Sequence, residues 1–89
     1  MSYRVLLYPK AAKELKDMHE PYRTKVRESL KELMFEPENK GKIIVGSKYL
    51  SLRVGDYRAI YEVNHDEKQV IVLYIGHRKN VYDDFTKIF

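Results

Sequence analysis

The chain has 89 residues and 44% hydrophobic content, enough for one compact domain with a modest core and not for two, so residues 1–89 are read as a single domain. Lysine and arginine total 17 against 13 aspartates and glutamates, and the net charge of +4 favours an anionic partner without naming one. With no cysteine, and with His19, His65 and His77 outside any metal-ligand spacing, disulfides and thiolate metal sites are excluded and no metal or other cofactor is expected.

Tyr3-Arg4-Val5-Leu6-Leu7-Tyr8 reads as a first strand, ended by Pro9, which cannot donate to a ladder but suits the first turn of a helix. Ala11, Leu15 and Met18 then recur at helical spacing among Lys10, Lys13, Glu14, Lys16 and Asp17, predicting an amphipathic helix over residues 10–18. From Pro21 to about Phe35, Tyr22, Val26, Leu30, Leu33 and Met34 follow the same period, predicting a second helix antiparallel to the first. Residues 36–42 are a loop by composition, with Pro37 barring the helix from continuing, and Ile43-Ile44-Val45 either adds a short strand or packs under that loop.

The best-defined stretch is Leu50 to Val63. Leu50, Leu52 and Val54 alternate with Ser51 and Arg53; after Gly55-Asp56, Tyr57, Ala59, Tyr61 and Val63 alternate with Arg58, Ile60 and Glu62. This predicts a hairpin with a two-residue turn, type II′ with Gly first, which sets Val54 opposite Tyr57 and Arg53 opposite Arg58. Like charges directly across a strand pair cost about 0.2–1 kcal/mol. Either an anion visits that face or the two arginines splay into solvent. Gln69 to Ile75 is continuously apolar and β-branched, as in an interior strand. Tyr82, Phe85 and Ile88 or Phe89 are spaced for a short C-terminal helix that docks on the sheet or on a partner. The fold class expected is α+β: a two-helix hairpin on one face of a small antiparallel sheet, in the order β-α-α-β-β-β plus that helix, with the other sheet face free. Short apolar runs and an N-terminus without a signal pattern point to a cytoplasmic protein with no membrane partner.

Leu52-Arg53-Val54-Gly55-Asp56-Tyr57-Arg58-Ala59-Ile60-Tyr61, followed by Gly76-His77-Arg78-Lys79-Asn80-Val81-Tyr82, resembles the RelE/ParE superfamily of toxins from prokaryotic toxin-antitoxin pairs, and RelE within it. The resemblance spans nearly the whole chain. It implies the toxin of a type II system, a metal-independent, ribosome-dependent endoribonuclease that cuts mRNA in the A site and is held inactive by a RelB-like antitoxin in a hetero-oligomer. The alternative is a ParE-like toxin that inhibits DNA gyrase and cuts nothing. By position, Arg58 matches the catalytic arginine of the second hairpin strand, Arg78 the arginine after the last strand, and Tyr82 the C-terminal catalytic tyrosine. Where the best-known RelE pattern has two lysines on the first hairpin strand, this chain has Tyr49 and Ser51. Lys48 lies one position off, pointing to the other face unless a bulge redirects it.

Metal-free RNA cleavage needs a base for the 2′-hydroxyl proton, cations for the phosphorane and an acid for the leaving 5′ oxygen. Arg53, Arg58 and Arg78 suit the second task, since guanidinium forks bind phosphate oxygens and stay charged. Tyr82 beside arginines is the candidate base. Tyr49, Ser51 and Lys48 are candidate substrate contacts, Tyr49 by stacking on a nucleobase. His77 is the spare acid or base, although alternation puts it opposite Arg78, on the face where a structural histidine is expected. Glu62 is read as solvated or ion-paired, and Tyr57 and Tyr61 as core.

Overall fold

The computed structural model describes residues 2–88. Strand β1 (Arg4–Leu7) stops just short of Pro9, and α1 (Pro9–Asp17) starts on it, because the proline ring removes a ladder donor and presets the helical φ. Ala11 and Leu15 of α1 are buried, while Lys10–Glu14 and Lys13–Asp17 pair at 3.3 and 2.7 Å on its outer side. Helix α2 (Tyr22–Lys31) buries Val26 and Leu30. It ends earlier than the expected Phe35. Pro37 disfavours helical backbone at Glu36, which adopts φ 46°, so the chain tightens into a 3-10 turn over Glu32–Met34 and leaves the helix. That turn still delivers Leu33 to the core, whereas Met34 and Phe35 stay exposed.

The remaining strands are β2 (Lys42–Ile43), β3 (Leu50–Val54), β4 (Tyr57–Asn64) and β5 (Gln69–His77), in a five-stranded sheet of order β1-β5-β4-β3-β2. Ile44 and Val45 fall outside β2, and Val45 is almost fully exposed. The sheet is mixed rather than wholly antiparallel, since β1 runs parallel to β5, with Arg4 opposite Gln69. The strand directions account for this: β2, β3, β4 and β5 alternate, which leaves β5 running the same way as β1, and the elements between them supply the long connection that a parallel pair needs. The β3–β4 register is the one the two-residue turn predicts, Val54 on Tyr57 and Arg53 on Arg58. Between β4 and β5 the register slips after Ile60, leaving Leu73 as the extra residue of a bulge.

Two apolar clusters sandwich the sheet. On one side Leu50, Leu52, Ala59, Tyr61, Val70, Val72 and Ile75 meet Ala11, Leu15, Val26, Leu30 and Leu33. On the other, the bulge turns both Leu73 and Tyr74 toward Ile60, and α3 (Val81–Ile88) closes over them with Val81 and Phe85. The face expected to be free is thus covered over Ile60, Leu73 and Tyr74 and open beside Arg53 and Arg58. The apolar seam of α3 starts at Val81, one residue before the expected Tyr82, so Tyr82 sits at the border of the seam with its hydroxyl directed at β3. Phe89 and the side chain of Ile88 lie outside the described residues.

Candidate active site

The β3–β4 turn orients the first cation. Gly55 takes φ +58° and Asp56 does not follow it to positive φ, as a type II′ turn with glycine first requires. Arg58 follows within three residues, and its Nη1 donates to the carbonyls of Gly55 and Tyr57, each at 2.8 Å. The guanidinium is thereby folded back on the turn, with no other side-chain hydrogen bond among the described residues. Arg53 lies directly across from it and is exposed.

The second contribution comes from the segment ahead of β3. A Cβ on Gly41 would lie 2.7 Å from the Ser51 carbonyl oxygen and 2.7 Å from the Tyr61 hydroxyl, closer than real Cβ atoms come, so only glycine lets the chain rest there. Tyr61 is fully buried and donates to the Pro37 carbonyl at 2.6 Å. Burial pushes its phenol up to about 12, while the Gly41 N–H donating to the same oxygen pulls the other way. Lys40 and Lys42 flank this anchor. Lys42 sits opposite Ser51 in the β2–β3 ladder, and directly opposed residues share a sheet face. Helix α3 completes the site with Tyr82, whose hydroxyl donates to Ser51 Oγ at 3.0 Å.

Together Lys40, Lys42, Ser51, Arg53, Arg58 and Tyr82 line a cleft of about 260 Å³. Ion pairs elsewhere occupy Lys10, Lys13, Arg23, Lys31, Lys48 and Arg78, but among the described residues none engages the four cations of the cleft. Four positive side chains with no carboxylate between them make an anion site, because the field is uncompensated by the protein.

The sequence candidates divide accordingly. Arg53, Arg58, Ser51 and Tyr82 meet in the cleft. Arg78 stands beside the hairpin tip, its backbone N–H donating to the Asp56 carbonyl at 2.7 Å and its Nε 3.7 Å from the Asp56 carboxylate, and it does not line the cleft. Lys48 pairs with Glu62 at 3.3 Å and lines a separate hollow with Val63, Asn64 and His65. Tyr49 packs edge-on against Phe85, with ring centroids 5.1 Å apart, and so helps seat α3. His77 opposes Tyr57 on the helix side of the sheet, rings 5.8 Å apart, as alternation predicts, and its Nδ1 accepts from the Lys79 N–H. Lys40 and Lys42 were missed. Their signal was a glycine between two lysines directly before a short strand, a pattern that loop composition hid. Among the described residues no group of three histidines or carboxylates is placed to hold a metal, and no helix is long and apolar enough to cross a membrane.

This fold, a helical hairpin on one face of a five-stranded sheet with a further helix closing over the other, matches the structures of RelE toxins and defines the chain as a member of the RelE/ParE toxin superfamily. Within it, residues 5–82 match the family described as the ParE toxin of type II toxin-antitoxin systems, parDE, and the chain belongs to that family. Similar solved structures include the RelBE2 toxin-antitoxin complex of Mycobacterium tuberculosis, 26% identical over 88% of this chain and 100% of that one, with a TM-score of 0.81. A double arginine-to-alanine mutant of the toxin RelE of Escherichia coli, in the free state, is 23% identical over 100% of this chain and 99% of its own, with a TM-score of 0.79. The chromosomal ParDE system of Pseudomonas aeruginosa is 16% identical over 85% and 96%, with a TM-score of 0.71. Among curated protein sequences none matches.

Proposed function

We propose that this toxin is a ribosome-dependent endoribonuclease that cuts mRNA in the A site and is held inactive by a RelB-like antitoxin. The observation that carries the reading is the carboxylate-free cleft in which Arg53 and Arg58 stand beside the hydrogen-bonded pair Tyr82–Ser51. In the reaction the 2′ oxygen bonds to phosphorus, the bond from phosphorus to the 5′ oxygen breaks, the 2′ proton leaves to a base and the 5′ oxygen gains a proton. Arg58, its plane fixed by two carbonyls, faces the developing phosphorane charge without having to reorganise. Tyr82 is the proton-handling group nearest that charge, relayed to Ser51 Oγ. No imidazole lines the cleft, so its own acid-base set is sparse, and substrate positioning by the ribosome supplies part of the barrier reduction. The antitoxin reading rests on similar toxins having been solved in complex with RelB antitoxins.

A second reading, gyrase inhibition without RNA cleavage, is favoured by the ParE family match and by Arg78 lying outside the cleft. Mapping mRNA 3′ ends on translating ribosomes separates the two. Nuclease action gives A-site ends carrying cyclic phosphate, reduced about 100-fold by Arg58→Ala. Intact mRNA together with inhibited supercoiling selects the gyrase reading.

A further inference from the structure

The Lys40-Gly41-Lys42 segment is built into the site in a way its loop composition conceals. Gly41 lies against the Ser51 carbonyl and the Tyr61 hydroxyl at distances that leave no room for a Cβ, and Tyr61 is in turn bonded to the Pro37 carbonyl. The middle of the segment is therefore held against buried groups of the sheet, and Lys42 continues into the ladder opposite Ser51. Lys42, fixed opposite Ser51, shares the face on which Ser51 receives the Tyr82 hydroxyl. Both lysines line the cleft with Arg53 and Arg58, and none of the four meets a carboxylate among the described residues. On α1, by contrast, Lys10 and Lys13 each pair with an acid four residues on.

We propose that Lys40 and Lys42, held by Gly41, form with Arg53 and Arg58 a cradle for the backbone of single-stranded RNA, in which the Lys42 ammonium contacts the phosphate lying over the Ser51–Tyr82 pair. An ammonium on a flexible stem suits this place: it follows a phosphate oxygen as the two guanidinium planes clamp the rest. The inference deepens the nuclease reading, and it is measured apart from cleavage.

The probe is a short, fluorescently labelled single-stranded RNA with 2′-O-methyl sugars, which has no free 2′-hydroxyl and so binds without being cut, titrated with the free toxin over a range of salt. Lys42→Met is expected to weaken binding about tenfold and to lower the slope of log affinity against log salt by about 0.7, the loss of one phosphate contact to a single strand. Lys42→Arg retains most of the affinity. Lys16→Met, on the exposed side of α1, changes neither affinity nor cleavage. Gly41→Ala, which keeps every charge but forces the segment off the sheet, weakens binding as Lys42→Met does. Equal affinity of wild type and Lys42→Met overturns the cradle, as does a wild type that fails to bind the probe at low salt or that prefers duplex DNA. If Lys42→Met lowers affinity while wild type leaves mRNA intact on ribosomes, the cradle stands and the nuclease reading falls.

Discussion

Arg58 and Tyr61 show how single side chains here act through what holds them. The Arg58 guanidinium commits one nitrogen to the carbonyls of Gly55 and Tyr57 and presents the rest to the cleft. Arg58→Lys keeps the charge but loses the fork, so on the nuclease proposal mRNA cleavage falls nearly as far as with Arg58→Ala, by tenfold or more, in a 3′-end mapping assay. Tyr61 carries a prediction about alkali. Its phenol ionises at about 12 in the folded chain and at about 10 when unfolded, so its contribution is complete below pH 10 and is lost as pH rises toward 12. Two pH units correspond to about 3 kcal/mol. Urea midpoints between pH 8 and 12 should fall less steeply for Tyr61→Phe. A residual slope is expected, because burial also raises the Tyr74 phenol. At neutral pH the same variant is less stable by about 1–3 kcal/mol, because the Pro37 carbonyl and the Gly41 N–H lose their shared partner. At this scale the arginine pair was readable from turn length alone. The lysines at 40 and 42 were not, since sequence distance from Ser51 says nothing of a two-residue strand laid beside it.

The hairpin and α3 stand at opposite ends of what an element's own sequence reveals. Gly55 has open space around it, so only its φ of +58° resists substitution. Gly55→Ala should cost about 1–2 kcal/mol in urea unfolding, and Gly55→Asn less. That the turn comes first and the register follows is why the β3–β4 pairing was predictable. An amphipathic helix, by contrast, announces an apolar stripe and not the surface that will receive it. The seat for Val81 and Phe85 exists only because the bulge at Leu73 brings two successive β5 side chains to the same face, and nothing in the run Val70 to Ile75 marks that slip. Phe85→Ala is expected to release α3 before the sheet yields. Hydrogen exchange should then rise across residues 81–88 while β4 and β5 keep their protection, and the Tyr82–Ser51 bond is lost with the helix.

For the whole molecule, charge and topology each have a readout. The net charge of +4 says less than its placement, because four cations line one cleft with no carboxylate among them, while Lys10, Lys13, Arg23 and Lys31 of the helices are each paired. Binding of single-stranded RNA is accordingly expected to fall steeply with salt, with a slope near −3 for four engaged cations. Topology was legible in its order of elements and not in its edge: the strand patterns could not tell which neighbour β1 would choose, since an apolar strand next to a proline fits either direction. Because β1 pairs with β5, the first strand stays without its neighbour until a segment more than sixty residues downstream has been made. A chain made from its N-terminus thus completes its arginine hairpin before its sheet, and adds Tyr82 only after both. The cleft therefore exists only once nearly the whole chain has been made.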